Sequence, residues 1–94
     1  MKEFKVIRKT IDETTEFAFT GIRVWKFLVK NLSNEECYVK ANVDDDMDES
    51  IMIPSNSWEV IEFNADDYRT DFYNSFYVVG QGEVEVRALE WEKV

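Results

Sequence analysis

The stretch "RVWKFLVKN", Arg23 to Asn31, limits what this chain can fold into more than any other feature. Arg23, Trp25, Phe27 and Val29 fall on one parity, and Val24, Lys26, Leu28 and Lys30 on the other. Strand side chains alternate between faces, so one strongly apolar parity beside a mixed one is the pattern of a half-buried strand. "CYVKANV" repeats it, with Val39, Ala41 and Val43 opposite Tyr38, Lys40 and Asn42. The polar segment "LSNEE" between them consists mostly of turn formers. This spacing predicts a β-hairpin over Arg23–Val43, with Trp25 and Phe27 in the core.

The same grammar runs through the rest of the chain. "EFKVI" and "TEFAFT" give two candidate strands separated by "RKTIDE". "SIMIP" is a short strand stopped by Pro54, which lacks an amide donor. "PSNS" then turns the chain into "WEVIEF", where Trp58, Val60 and Glu62 alternate with Glu59, Ile61 and Phe63. Strands near Phe76–Val79 and Glu83–Trp91 flank "GQG", whose glycines fit a hairpin turn needing positive φ. "NADDYRTD" is the best helical candidate, with room for at most one short turn near 64–72. Seven to eight strands, with turn signals every eight to twelve residues, predict an all-β chain: a single antiparallel β-sandwich spanning 1–94.

The final strand contains a parity conflict. Val84, Val86 and Ala88 share one face, while Leu89 and Trp91 fall on the other. Either a bulge near Arg87–Leu89 turns the strand end inward, or Leu89 and Trp91 form an outward patch for a partner.

Composition narrows function mainly by exclusion. Ninety-four residues with 45% hydrophobic content suffice for one core. No apolar run approaches the roughly 20 residues that cross a bilayer. The charged N-terminus "MKEFKVIRK" lacks a signal-peptide h-region, so synthesis in the cytoplasm is expected. Eleven basic residues face twenty acidic ones, for a net charge of −9. That balance argues against nucleic acid or anionic membrane as direct partners. Histidine is absent, which removes Ser-His and Cys-His nucleophile pairs and imidazole metal ligation. No enzyme activity is expected. Cys37 is alone, beside Glu35 and Glu36, and reads as a passive thiol.

In "NVDDDMDESIMI", five of the six residues Asp44–Glu49 are acidic. Asp44, Asp46 and Asp48 have the spacing of an EF-hand loop, but Glu49 stands where glycine is required and Ser55 where glutamate is. A solvated hairpin tip held open by like charges is the simplest reading. A calcium loop of another kind, with Asp44, Asp46, Asp48 and Glu49 as ligands, is an alternative, as is a docking surface for a basic partner. Otherwise no cofactor is expected. Trp58, Tyr77, Leu89 and Trp91 are the interface candidates. Exposed Trp and Tyr also keep a carbohydrate-binding module, with glycan as ligand, as the runner-up.

The order of features resembles a known family. "VKNLSNEECYVKA" supplies Asn31, Ser33, Tyr38 and Val39; "IPSNSWEVIEF" supplies Pro54; "FYVVGQGEVEVRALEW" supplies Tyr77, Val78, Gly80, Gly82, Val84, Val86 and Glu90. Over Arg23–Trp91 this is similar to the small β-sandwich virion proteins of tailed phages and prophages. The resemblance implies a structural role, as a decoration, neck or tail-accessory subunit that self-assembles or binds other protein subunits in a virion. It carries over no catalytic residue.

Overall fold

The computed structural model describes residues 3–62 and 75–93. The helical turn expected near 64–72 lies outside them. Alternating apolar and polar residues form eight strands among the described residues: β1 (Lys5–Ile11), β2 (Thr14–Ala18), β3 (Ile22–Asn31), β4 (Cys37–Lys40), β5 (Ile51–Ile53), β6 (Trp58–Glu62), β7 (Ser75–Val79) and β8 (Gly82–Lys93). They form two four-stranded sheets, a front sheet in the order β1-β8-β3-β6 and a back sheet in the order β2-β7-β4-β5. Every pairing is antiparallel. The expected all-β sandwich is therefore the observed fold, and its strand order is that of a jelly roll.

Pairing β1 with β8, β2 with β7, β3 with β6 and β4 with β5 describes one long two-stranded ribbon. Contacts of β3 with β8 and of β4 with β7 roll that ribbon up. This arrangement overturns both expected hairpins. β3 and β4 lie in different sheets, so Arg23–Val43 is a crossover between layers. β7 and β8 also lie in different sheets, so "GQG" joins layers rather than paired strands. Of its glycines only Gly82 has positive φ, at 111°. A period of two identifies a strand but not its neighbour. Here β3 already has β8 on one side and β6 on the other. The β4–β5 connection, which carries the acidic stretch, stays within one sheet. "RKTIDE" is mostly strand, with only Asp12 and Glu13 between β1 and β2.

The core lies between the layers. Phe17 and Phe76 of the back sheet and Phe27 of the front sheet are fully buried. Phe27 meets Phe76 edge-on at 4.9 Å between centroids, and Phe17 lies 6.2 Å from Phe76. Edge-to-face geometry suits the ring quadrupoles.

β3 departs from strict alternation. Val24 and Phe27 are both buried although three residues apart. On β8, Ala88 and Trp91 both pack against the core. The β3–β8 register shifts here, pairing Val24 with Trp91, Lys26 with Glu90 and Phe27 with Ala88, which leaves Trp25 and Leu89 as the extra residues. The bulge expected near Arg87–Leu89 is therefore present, matched by one on β3. It corrects the placing of Trp25 in the core and of Val24 on the outer side: Val24 is buried, while Trp25 is only half-buried and does not join the cluster.

The edge strand β1 has inward-facing lysines. Lys9 Nζ donates to the Glu16 carbonyl (2.9 Å) and lies 5.3 Å from the Phe17 ring centroid. Lys5 Nζ sits 5.4 Å from the Trp91 ring. Their stems cover the open side of the core while their charges block pairing with another edge.

Candidate functional site

Two groups of residues stand out, one holding the sheets in place and one on the surface they create. The first is centred on Asn31, at the end of β3. Its side chain is completely buried. Asn31 Nδ2 donates to the carbonyls of Glu35 (2.7 Å), Ile53 (3.0 Å) and Pro54 (3.2 Å). Its Oδ1 accepts from the Ser33 amide (3.0 Å) and from Ser33 Oγ (2.6 Å). Two amide hydrogens serving three carbonyls means that one is shared. Ser55 Oγ adds a 2.6 Å bond to the Ser33 carbonyl. Gly82 passes so close that a Cβ there would overlap Ser33 Cβ. At Gly80 a Cβ would stand 3.0 Å from Cys37 Cβ. Asn31, Ser33, Pro54, Gly80 and Gly82, scattered through the sequence, thus meet where the chain leaves one sheet for the other. In the sequence Asn31 ends a strand, Ser33 reads as a turn former, and both enter as matched positions of the resemblance, but nothing local signals that the asparagine is buried.

The second group is the outer face of the front sheet. Rows run across its four strands: Val6–Arg87–Leu28–Val60, and beside it Arg8–Glu85–Lys30–Trp58. Trp58 is 64% exposed, Val60 46%, Val6 44% and Leu89 44%. Two of the interface candidates, Trp58 and Leu89, therefore lie on this face. Trp91 does not, because the bulge turns it against the core. Tyr77 is on the back sheet, half-buried, where its hydroxyl meets Glu16 Oε2 at 3.4 Å. Val6, Leu28 and Val60 were missed. They stand out only once the register places them in one row.

Within this face Glu85 is held down by its neighbours. Arg8 Nη2 donates to Oε1 (2.7 Å) and Arg87 Nε to Oε2 (2.9 Å). The Arg8 hydrogen bond, together with the Arg87 charge and hydrogen bond, outweighs burial and holds this carboxyl below its ordinary 4.5. The same contact raises the pKa of Arg8. Both guanidiniums are thereby tied to the Glu85 carboxylate.

The acidic stretch forms the β4–β5 tip, with a short 3₁₀ turn at Met47–Glu49 in place of a plain loop. That turn brings carboxylate oxygens of Asp46, Asp48 and Glu49 within 4.8 Å of one another. All three are exposed, and Asp44 is not part of the group. An open depression of about 630 Å³ lies beside this tip, lined by Tyr38, Met47, Pro54 and Val79. Tyr38 donates there to Glu36 Oε1 at 3.1 Å. Among the described residues no helix is long and apolar enough to cross a membrane. No protein-family model, curated protein or solved structure matches this chain.

Proposed function

We propose that this chain is a non-enzymatic assembly protein, working by protein–protein contact through the outer face of the front sheet. One observation carries the reading: Val6, Leu28 and Val60 share one row, interrupted on β8 by Arg87, and with Trp58 and Leu89 they bring apolar side chains from all four strands to one outer face of a chain whose net charge is −9. Such a chain has ample charge to cover its surfaces. An apolar cluster on one outer face is the mark of a contact surface. Exposed tryptophan at its edge supplies the kind of anchor that dominates interface energetics.

The resemblance over Arg23–Trp91 points to a tailed-phage or prophage virion, as a decoration, neck or tail-accessory subunit. Jelly rolls occur in viral capsid proteins, and also in lectins and cupins, so the architecture accommodates this role without selecting it. The test is particle association. In a lysate of the producing host, wild-type chain co-sediments with particles on a density gradient, and Val60→Glu chain remains in the unassembled fraction. Wild-type chain found only in the unassembled fraction overturns the reading.

A further inference from the structure

The partner that best fits the apolar cluster is a second copy of this chain. We infer that two copies pack front sheet to front sheet, around a two-fold axis parallel to the strands and lying between β8 and β3. The inference rests on the reading of this face as a contact surface and adds the identity of its partner.

Charge on the face supports it. The outward bases on the described strands are Arg8, Arg23, Lys26, Lys30 and Arg87; the outward acids are Glu62, Glu83, Glu85, Glu90 and Glu92. The face is therefore neutral on a chain of −9. Two such chains repel through their other surfaces and least through this one.

The charges are also sorted by strand. Every outward charge on β3 is basic, and every outward charge on β8 except Arg87 is acidic. The proposed axis lays β8 of one copy over β3 of the other, and β1 over β6, without shifting the rows. Glu90 then lies over the second copy's Lys26, and Val6 over its Val60. Arg8, pinned by Glu85 at 2.7 Å, lies over the exposed indole of the second copy's Trp58, the arrangement of a cation–π contact. An axis perpendicular to the strands would reverse the rows and lose these matches. Two sheets facing each other at about 10 Å, as in aligned sandwich packing, bring such side chains into contact.

The dimensions set the strength. Four strands spaced about 4.8 Å apart, over about seven residues of 3.3 Å, give roughly 450 Å² of plane per copy. That is below the roughly 800 Å² per partner of a standard stable interface, so the association is a weak, reversible one.

Sedimentation equilibrium of the purified chain from 1 µM to 1 mM tests this, combined with cysteine cross-linking. The expected result is a monomer–dimer equilibrium. Val60→Glu, present twice in each dimer, weakens it on the order of 100-fold with unchanged circular dichroism; Val6→Glu on the opposite edge strand does the same. An equimolar mixture of Val6→Cys and Val60→Cys chains forms a cross-linked dimer with a short bismaleimide linker, which spans the gap between facing sheets that a disulfide cannot, whereas neither alone does. Cys37 is buried and stays silent. A monomer at 1 mM, a dimer indifferent to both glutamate substitutions, or cross-linking of Val60→Cys with itself overturns the arrangement. If the purified chain is monomeric yet Val60→Glu still leaves the particle fraction, the contact surface stands and the second copy is the wrong partner.

Discussion

Replacing Asn31 by alanine tests the architecture most directly. The substitution removes both donors and the acceptor of a side chain with no solvent exposure. The Ile53 carbonyl and the Ser33 amide lose a buried partner, whereas the Glu35 carbonyl keeps Ser33 Oγ (2.8 Å) and the Pro54 carbonyl keeps the Ser57 amide (3.2 Å). The bonds to Ile53 and Ser33 are buried, and those to Glu35 and Pro54 are part-buried, within reach of water. An unsatisfied buried group costs about 1–3 kcal/mol, and a part-buried one less. The small cavity adds about 1 kcal/mol. The expected loss is therefore about 3–5 kcal/mol, against a total stability of about 5–14 kcal/mol for a domain this size. Urea unfolding, followed by far-ultraviolet circular dichroism, measures it as a fall in midpoint at constant slope.

Asn31→Asp sharpens the test, because it keeps the shape while replacing the donors with an acceptor. At neutral pH a carboxylate would face the carbonyls of Glu35, Ile53 and Pro54, so its folded pKa is raised by repulsion and burial. Protonation restores one donor. The variant's deficit relative to wild type is thus largest above the raised pKa and shrinks as pH falls through it. A loss under 1 kcal/mol for Asn31→Ala, or a deficit for Asn31→Asp that grows on acidification, refutes the account of this network.

Four further outcomes follow. Gly82→Ala forces a Cβ into Ser33 at a φ of 111° and should cost about 3 kcal/mol or more, whereas Gly80→Ala, 3.0 Å from Cys37 Cβ, should cost about 1–2 kcal/mol; thermal melts rank the two. Glu85 titrates below 4.5 in the folded chain, so its stabilising contribution is complete above that value and lost as pH falls through the depressed one; Glu85→Gln should be less stable than wild type at pH 7, with the gap closing in strong acid. Burial pushes the Cys37 thiol up to about 11, so it should resist a thiol reagent at pH 8 until urea unfolds the chain, and its ionisation in the unfolded state should lower stability as pH rises from 9 towards 11. At the acidic tip, Asp46→Asn should raise the melting temperature slightly by relieving repulsion, with millimolar calcium shifting the wild type by under about 1 °C; a saturable calcium-dependent rise would make Asp46, Asp48 and Glu49 ligands.

The individual strands were legible because burial on one face writes a period of two into them. Their partners were not. "LSNEE" and "GQG" are turn-rich in the way hairpin loops are, and a chain turning between layers needs the same residues as one turning within a sheet. What distinguishes them is remote: Asn31 is buried because Ile53 and Pro54 bring carbonyls to it from 22 and 23 residues away. The parity conflict at Leu89 was readable as a bulge, whereas its counterpart at Trp25 was hidden, because Trp25 and Phe27 share a parity and are both apolar. Trp58 and Leu89 were visible as surface candidates one by one. Their common face was not, since it joins β6 to β8 through β3.

That remoteness bears on how the proposed contact surface comes into being. Val6, Arg87, Leu28 and Val60 occupy one row but come from the first strand, the last and two in between. Pairing β1 with β8 closes a loop of nearly the whole chain, so its entropy must be spent before its contacts repay it. The β4–β5 tip joins neighbours in sequence and closes a far shorter loop. On this topology the back sheet can be nucleated from that tip, while the front sheet is complete only when both chain ends arrive. A chain missing β1 or β8 therefore cannot display the apolar cluster in its final rows, although it contains Leu28, Val60 and Trp58. Contact through this face is thus coupled to complete folding: an unfinished chain lacks the sorted charges of β3 against β8 that would align it with a neighbour, and a finished one presents them as a unit.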